Sequence, residues 1–234
     1  NPEQRRIGGM KRLALLLCVV LAACSNDNVP DVSSEKAAAD ALQVLQQSSS
    51  ADGKALYAAC AACHGAKGEG NVALSAPSLV NQQDWYLLRQ LNGFRSGLRG
   101  SHPQDGYGAQ MQAIAKTLPD EAAVNAVVSY IASFSAEPAA KTLDGNIKRG
   151  ADYYSNLCGA CHGPAAEGND KLQAPALAGV DDWYLLKQFD HFRDGIRGAD
   201  EADRYGYQMG MMGKTLPDAE TAKDVIAYIQ SLAD

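Results

Sequence analysis

The feature that most constrains this 234-residue chain is an internal repeat. Three segments recur at a constant spacing of 98 residues: 60–64 matches 158–162, 84–88 matches 182–186, and 117–120 matches 215–218. The halves 51–136 and 149–234 therefore align without a gap, and each is long enough for one small domain. Residues 137–148, which contain Pro138 and Gly145, are predicted to form the linker.

The apolar pattern of both halves is helical. Leu87, Leu91 and Phe94 stand at i, i+4 and i+7, and the second half repeats this spacing. Shorter helices are predicted at 53–59 and 151–157, and further ones after the two Leu-Pro-Asp segments, because proline suits a first helical turn. In neither half do apolar and polar residues alternate over a stretch that would predict a β-strand. The predicted fold class is all-α, with two tandem domains related by duplication.

Each half carries the pentapeptide Cys-x-x-Cys-His, which is the attachment motif for haem c. Two thiols at this spacing form thioethers with both vinyl groups of one haem, and the adjacent histidine coordinates the iron. A redox dithiol and half of a zinc site are the alternatives. The motif predicts two covalently bound haem c groups, attached and ligated by Cys60, Cys63 and His64 and by Cys158, Cys161 and His162.

A methionine in each half is the candidate for the second axial ligand of the iron. Met111 and Met209 are 98 residues apart, and each lies 47 residues after its histidine in the same Tyr-Gly-x-Gln-Met setting. The neighbouring Met211 and Met212 correspond instead to Ala113 and Ile114. The sequence therefore predicts Met111 and Met209 as iron ligands.

Two other histidines compete for this role. His102 corresponds to Asp200 in the second half, and His191 corresponds to Gly93 in the first. Since neither position is matched by its repeat, both histidines are predicted to lie in solvated loops.

With these motifs in place, each half resembles a class I cytochrome c domain, and the tandem resembles the di-haem cytochrome c4 type. The resemblance implies that the carbonyls of Pro77 and Pro175 accept a hydrogen bond from the histidine Nδ1–H. It also implies two domains packed face to face, with haem propionates near the interface. Arg99 and Arg197, together with Arg95 and Arg193, are candidates to neutralise propionates or to form a solvated charged face.

The N-terminus has the pattern of a bacterial lipoprotein signal. Lys11 and Arg12 precede a short apolar run that ends in Leu-Ala-Ala-Cys at Cys24. We expect residues 1–23 to be a signal peptide, Cys24 to be lipidated, and residues 24–50 to be a flexible tether. An ordinary secretory signal is the alternative. The expected location is the periplasm, on a lipid anchor in the outer or the inner membrane.

Charge narrows the class of partner. Without residues 1–23 the chain has 17 basic and 26 acidic residues, a net charge of −9. This argues against nucleic acid as a partner, because its phosphates call for a basic footprint. Residues 51–136 are neutral, with six basic and six acidic residues, whereas residues 149–234 have eight basic and fourteen acidic ones. We expect the acidic half to dock basic partners and to favour the ferric form of its own haem.

Methionine and histidine together saturate a haem iron, and this favours electron transfer over catalysis. The sequence predicts a non-enzymatic electron carrier between respiratory-chain components, with a quinol-oxidising complex and a terminal oxidase or reductase as partners. A fixed electron-transfer subunit of a membrane oxidoreductase complex is one alternative. A di-haem enzyme, such as a peroxidase or a thiosulfate dehydrogenase, is the other.

Overall fold

The computed structural model describes residues 36, 39–40, 52–80, 82–135 and 140–233. The predicted signal peptide, Cys24 and most of the predicted tether lie outside these residues. Helices dominate the described part, and the pairings outside them are two isolated bridges, Asn71 with Ala76 and Asn169 with Ala174. The predicted all-α fold class is confirmed. Within the described residues, no helix is both long and apolar enough to cross a bilayer.

The described residues of the first half, 52–80 and 82–135, form four α-helices and a short 3₁₀ turn. Helix α1 covers residues 52–64. It is followed by the 3₁₀ turn Val72–Leu74 and by α2 (Asp84–Ser96), α3 (Gly106–Ala115) and α4 (Glu121–Ala132). The helix expected after Leu-Pro-Asp is α4, whose N-cap Asp120 accepts a hydrogen bond from the Ala123 N–H.

The second half repeats this order of α-helices with two changes: residues 170–172 form an ordinary turn in place of the 3₁₀ turn, and the first helix is interrupted. Its helices are α5 (Ile147–Tyr153), α6 (Gly159–His162), α7 (Asp182–Arg193), α8 (Arg204–Gly213) and α9 (Ala219–Ser231). A π-helical turn, Tyr154–Cys158, joins α5 to α6, so that the three segments together correspond to α1.

This π turn corrects the expectation of a gapless repeat. The Tyr57 hydroxyl donates to the Gly65 carbonyl at 2.7 Å, and the Tyr154 hydroxyl donates to the Gly163 carbonyl at 2.6 Å. The glycines are 98 residues apart, but the tyrosines are only 97 apart. One extra residue therefore lies between Tyr154 and Cys158, and a π turn is how a helix absorbs a single insertion.

Each half has its own apolar core, built where the first helix crosses the last. In the first, Tyr57 packs with Val124, Val127, Val128 and Ile131; in the second, Tyr154 packs with Ala222, Val225 and Ile229. Fully burying one such valine or isoleucine stabilises a domain by roughly 1.5–3 kcal/mol. These two cores fix the histidine at the end of the crossing helix in each half.

Candidate haem-binding sites

The first pentapeptide lies at the end of α1, and the second runs from the last residue of the π turn through α6. The thiols of Cys60 and Cys158 are half-buried, whereas Cys63 and Cys161 are exposed. Burial raises the pKa of the Cys60 thiol, and it raises that of Cys158 to about 11. A redox dithiol needs the opposite shift, because its attacking thiol must be ionised near neutral pH.

The zinc alternative finds no support either. Within residues 52–80, 82–135 and 140–233, no three His, Cys, Asp or Glu side chains gather as a metal site would require. A structural zinc ion needs four ligands close together. The pentapeptides match the attachment chemistry of haem c, for which two thiols at this spacing and an adjacent histidine are the required groups.

His64 and His162 are held identically. Each is buried, with 5% of its surface exposed, and its Nδ1 lies 2.8 Å from the carbonyl oxygen of Pro77 or Pro175. A carbonyl can only accept, so Nδ1 must carry the proton and Nε2 keeps its lone pair. Burial lowers the pKa of both rings against the opposing effect of this hydrogen bond. Both histidines are thus neutral, oriented bases.

Backbone hydrogen bonds hold the loop between His64 and Pro77 in place. The Gly70 N–H donates to the His64 carbonyl at 2.8 Å, and the Leu79 N–H donates to the Gly68 carbonyl at 2.8 Å. A Cβ atom on Gly70 would lie 2.5 Å from the backbone nitrogen of Ser78. The close approach therefore requires glycine here, and the same holds for Gly168 in the second half.

Met111 and Met209 lie in α3 and α8, two helices that the sequence pattern did not predict. Both side chains line an apolar cavity of about 370 Å³ that is also lined by His64 and His162. Met212, one turn after Met209, lines the cavity as well, whereas Met211 is 54% exposed. The two methionines chosen from the repeat thus face the cavity that holds the histidines.

The expectation for His191 is wrong, because this residue is buried in α7 instead of lying in a solvated loop. Its Nδ1 lies 3.9 Å from an Asp105 carboxylate oxygen of the first half. His102 is half-buried in a turn, where its Nδ1 accepts a hydrogen bond from the Gln104 N–H at 3.2 Å. Neither side chain lines the cavity.

The candidate arginines divide into two kinds. Arg95 and Arg193 pair with nearby carboxylates at the surface. Arg99 and Arg197 instead line the cavity and cross between the halves: Arg99 donates to the Tyr184 hydroxyl at 2.7 Å, and Arg197 donates to the Tyr86 hydroxyl at 3.0 Å. The Nε atoms of these two are buried without a hydrogen-bond partner, although a buried guanidinium N–H normally has an acceptor.

These residues fit a haem in each half. Each half provides two thiols, an oriented imidazole, a thioether that lines the same apolar cavity and a buried arginine whose Nε has no hydrogen-bond partner. These groups recur in both halves, so the fold and its two sites define a di-haem c-type cytochrome.

Comparisons with known proteins agree with this class of protein. The family model for cytochrome c matches the chain twice, at residues 50–135 and 147–233. A relative from Stutzerimonas stutzeri (strain A1501), named thiosulfate dehydrogenase electron acceptor, is 34% identical over 185 residues, covering 71% of this chain and 82% of the relative. The cbb3-type cytochrome c oxidase subunit FixP of Bradyrhizobium sp. (strain ORS 278) is 32% identical over 185 residues, covering 74% of this chain and 57% of the relative.

A solved structure resembles the whole tandem. The crystal structure of reduced recombinant cytochrome c4 from Pseudomonas stutzeri matches with a TM-score of 0.62 at 25% identity, covering 77% of this chain and 97% of that one. The chain therefore belongs to the cytochrome c family. It is a cytochrome c4-like di-haem protein with two covalently bound haem c groups, and it transfers electrons.

Proposed function

We propose that this protein is an electron carrier whose two irons are each ligated by one histidine and one methionine: His64 with Met111, and His162 with Met209. The observation that carries the proposal is that each histidine is fixed through Nδ1 and shares its cavity with a methionine on a separate helix. With one histidine and one methionine as ligands, each iron would have no open position for a substrate. Haem c supplies one-electron cycling between ferric and ferrous iron.

The chain's own groups prepare these sites in four ways. Cys60, Cys63, Cys158 and Cys161 would fix the haems covalently. The prolines hold the imidazoles, and the apolar cavity lining would keep water from the iron. Arg99 and Arg197 would neutralise the propionate carboxylates, since each has a buried Nε–H in need of an acceptor. All four contributions favour outer-sphere electron transfer and none provides a catalytic acid or base.

For location and partners we propose the periplasm, with Cys24 as the lipidated anchor and residues 24–50 as tether. The carrier would accept electrons from a quinol-oxidising complex or a periplasmic dehydrogenase and pass them to a terminal oxidase or reductase. The relative named thiosulfate dehydrogenase electron acceptor supports the role of acceptor. The relative named as an oxidase subunit supports the second candidate, a fixed subunit of a membrane complex.

The axial ligands are tested by spectroscopy of single variants. Met111→Ala and Met209→Ala should each remove half of the near-infrared band that ferric haem shows when methionine is bound to iron. Met211→Ala is the matched control, because this neighbouring methionine is exposed and does not line the cavity. A full band in either of the first two variants would contradict the assigned ligand. Affinity purification from solubilised membranes then separates the carrier, which is recovered alone, from the fixed subunit, which is recovered with its complex.

A further inference from the structure

The N-cap positions of α2 and α7 reach across the interface between the halves. The Asp181 carboxylate accepts a hydrogen bond from the Ser78 N–H at 2.7 Å, and the Gln83 amide oxygen accepts one from the Ala176 N–H at 3.0 Å. Residues 83 and 181 are 98 apart, as are residues 78 and 176. The two contacts are therefore equivalent in position but differ in charge.

Each of these N–H groups belongs to the peptide that orients a haem-ligating histidine. The Pro77 carbonyl and the Ser78 N–H are the two ends of one peptide group, and that carbonyl accepts from His64 Nδ1 at 2.8 Å. A chain of two hydrogen bonds thus runs from the Asp181 carboxylate through this peptide to the imidazole. Hydrogen bonds in series polarise one another, by about 10–30% per bond.

The corresponding chain of hydrogen bonds in the second half ends on a neutral amide. There the Pro175–Ala176 peptide group is hydrogen-bonded to His162 through its carbonyl and to the Gln83 amide oxygen through its N–H. A hydrogen bond to an ionised acceptor is roughly twice as strong as a neutral one. The peptide that faces His64 is therefore more strongly polarised than the peptide that faces His162.

We propose that Asp181 of the second half is a positioning residue for the first haem. Because its carboxylate accepts a hydrogen bond from the Ser78 N–H, the Pro77 carbonyl becomes a stronger acceptor. The stronger hydrogen bond from Nδ1 then gives the His64 ring more imidazolate character. A more electron-rich imidazole stabilises ferric iron, so Asp181 lowers the reduction potential of the first haem. The inference rests on the proposed function, in which His64 binds the iron.

The test is the potential of each haem in Asp181→Asn, which keeps the size and one acceptor oxygen but removes the charge. The oxidation equilibrium of the first haem should shift by about threefold to tenfold toward the reduced form, or about 30–60 mV for a one-electron couple. The second haem should not change. The measurement is a redox titration followed by NMR, in which haem methyl signals are assigned to each half.

The repeat itself supplies the reciprocal variant. Gln83→Glu places a carboxylate opposite the Ala176 N–H and should lower the potential of the second haem alone. Gln83 also donates to the Glu167 carbonyl at 3.1 Å, so the unfolding midpoint of this variant is measured alongside. A Gln83→Glu protein that keeps both methionine bands but an unchanged second potential would contradict the relay.

A second readout separates the hydrogen-bond chain from a through-space effect of the charge. The ring Nδ1–H resonance of His64 should move upfield in Asp181→Asn, because its hydrogen bond weakens, and the potential shift should persist at high salt. If the potential moves but this resonance does not, the relay is wrong. If neither moves while the wild-type His/Met spectrum is intact, Asp181 has no such role. A wild-type protein without that spectrum would instead overturn the proposed ligands.

Discussion

Gly100 and Gly198 bring the methionine helices close to the chain that precedes them. Their φ angles are +82° and +72°, a region that side chains with a Cβ rarely adopt. A Cβ atom on Gly100 would lie 2.3 Å from the Gly108 carbonyl oxygen. Since Gly108 lies one turn before Met111 in α3, the position of the proposed ligand depends on this approach.

Gly100→Ala should therefore destabilise the first half and loosen its methionine. The strained φ alone costs about 1–3 kcal/mol, and the clash with Gly108 adds to it. Chemical unfolding measures the loss, and the near-infrared band of the first haem should disappear at a lower temperature than that of the second. Gly106→Ala is the control: nothing lies within 4 Å of a Cβ there, so its stability should be unchanged or higher.

At the scale of single residues, the sequence was informative where chemistry fixes spacing. The pentapeptides indicated the candidate thiols and histidines, and the repeat selected Met209 over Met211 and Met212. The burial of His191 and the contact of Asp181 with Ser78 were not predictable in this way. Each depends on a partner in the other half, and the Asp181–Ser78 pair is separated by 103 residues. No local sequence pattern predicts a contact between residues so far apart in the chain.

At the scale of elements, apolar periodicity predicted α2, α4, α7 and α9, and it missed α3 and α8. The missed helices are rich in glycine, which lowers helix propensity by about 1 kcal/mol per residue relative to alanine. The available signal was the aspartate before each of them. Asp105 and Asp203 accept from the N–H groups of Gly108 and Gly206, as helix N-caps do.

The π turn makes a second element-scale prediction. Deleting Asn156, an exposed residue within it, gives Tyr154 the spacing to its cysteine that Tyr57 has to Cys60. The shortened helix should form a regular α-helix, so the unfolding midpoint should be equal or higher and both haems should retain their methionine bands.

Deleting Asp152, upstream of the π turn, is the matched control for this deletion. It would move Arg149 into the place of Gly150, where a Cβ would lie 1.9 Å from the Asp224 carbonyl oxygen. That protein should unfold at a clearly lower temperature. Equal midpoints for the two deletions would show that the extra residue is not held in the π turn.

At the scale of the molecule, the second half is expected to act on both haems. The acidic surface of residues 149–234 should favour the ferric form of the second haem, and Asp181 should favour the ferric form of the first. Surface charge is screened over about 10 Å at 0.1 M ionic strength, but the partly buried contact with Ser78 is much less exposed to salt. The difference between the two potentials should therefore depend on ionic strength.

The distribution of charge also affects how fast the reduced protein reacts with oxidants of different charge. The first half is neutral and the second carries −6, so a cation approaching the second haem is attracted at long range. Stopped-flow oxidation of the reduced protein by the cation tris(phenanthroline)cobalt(III) should slow as salt rises. Oxidation by the anion ferricyanide should accelerate over the same range of salt.

Variants then locate the effect in the second half. Asp200 and Glu201 are exposed in the loop before α8, the helix that carries Met209. Neutralising both, as Asp200→Asn with Glu201→Gln, should flatten the salt dependence of the cobalt reaction. Asp52→Asn with Asp84→Asn removes the same charge from exposed sites on the first half and should flatten it less. Equal effects from the two pairs would mean that net charge steers the reaction and that the second half is not the preferred docking surface.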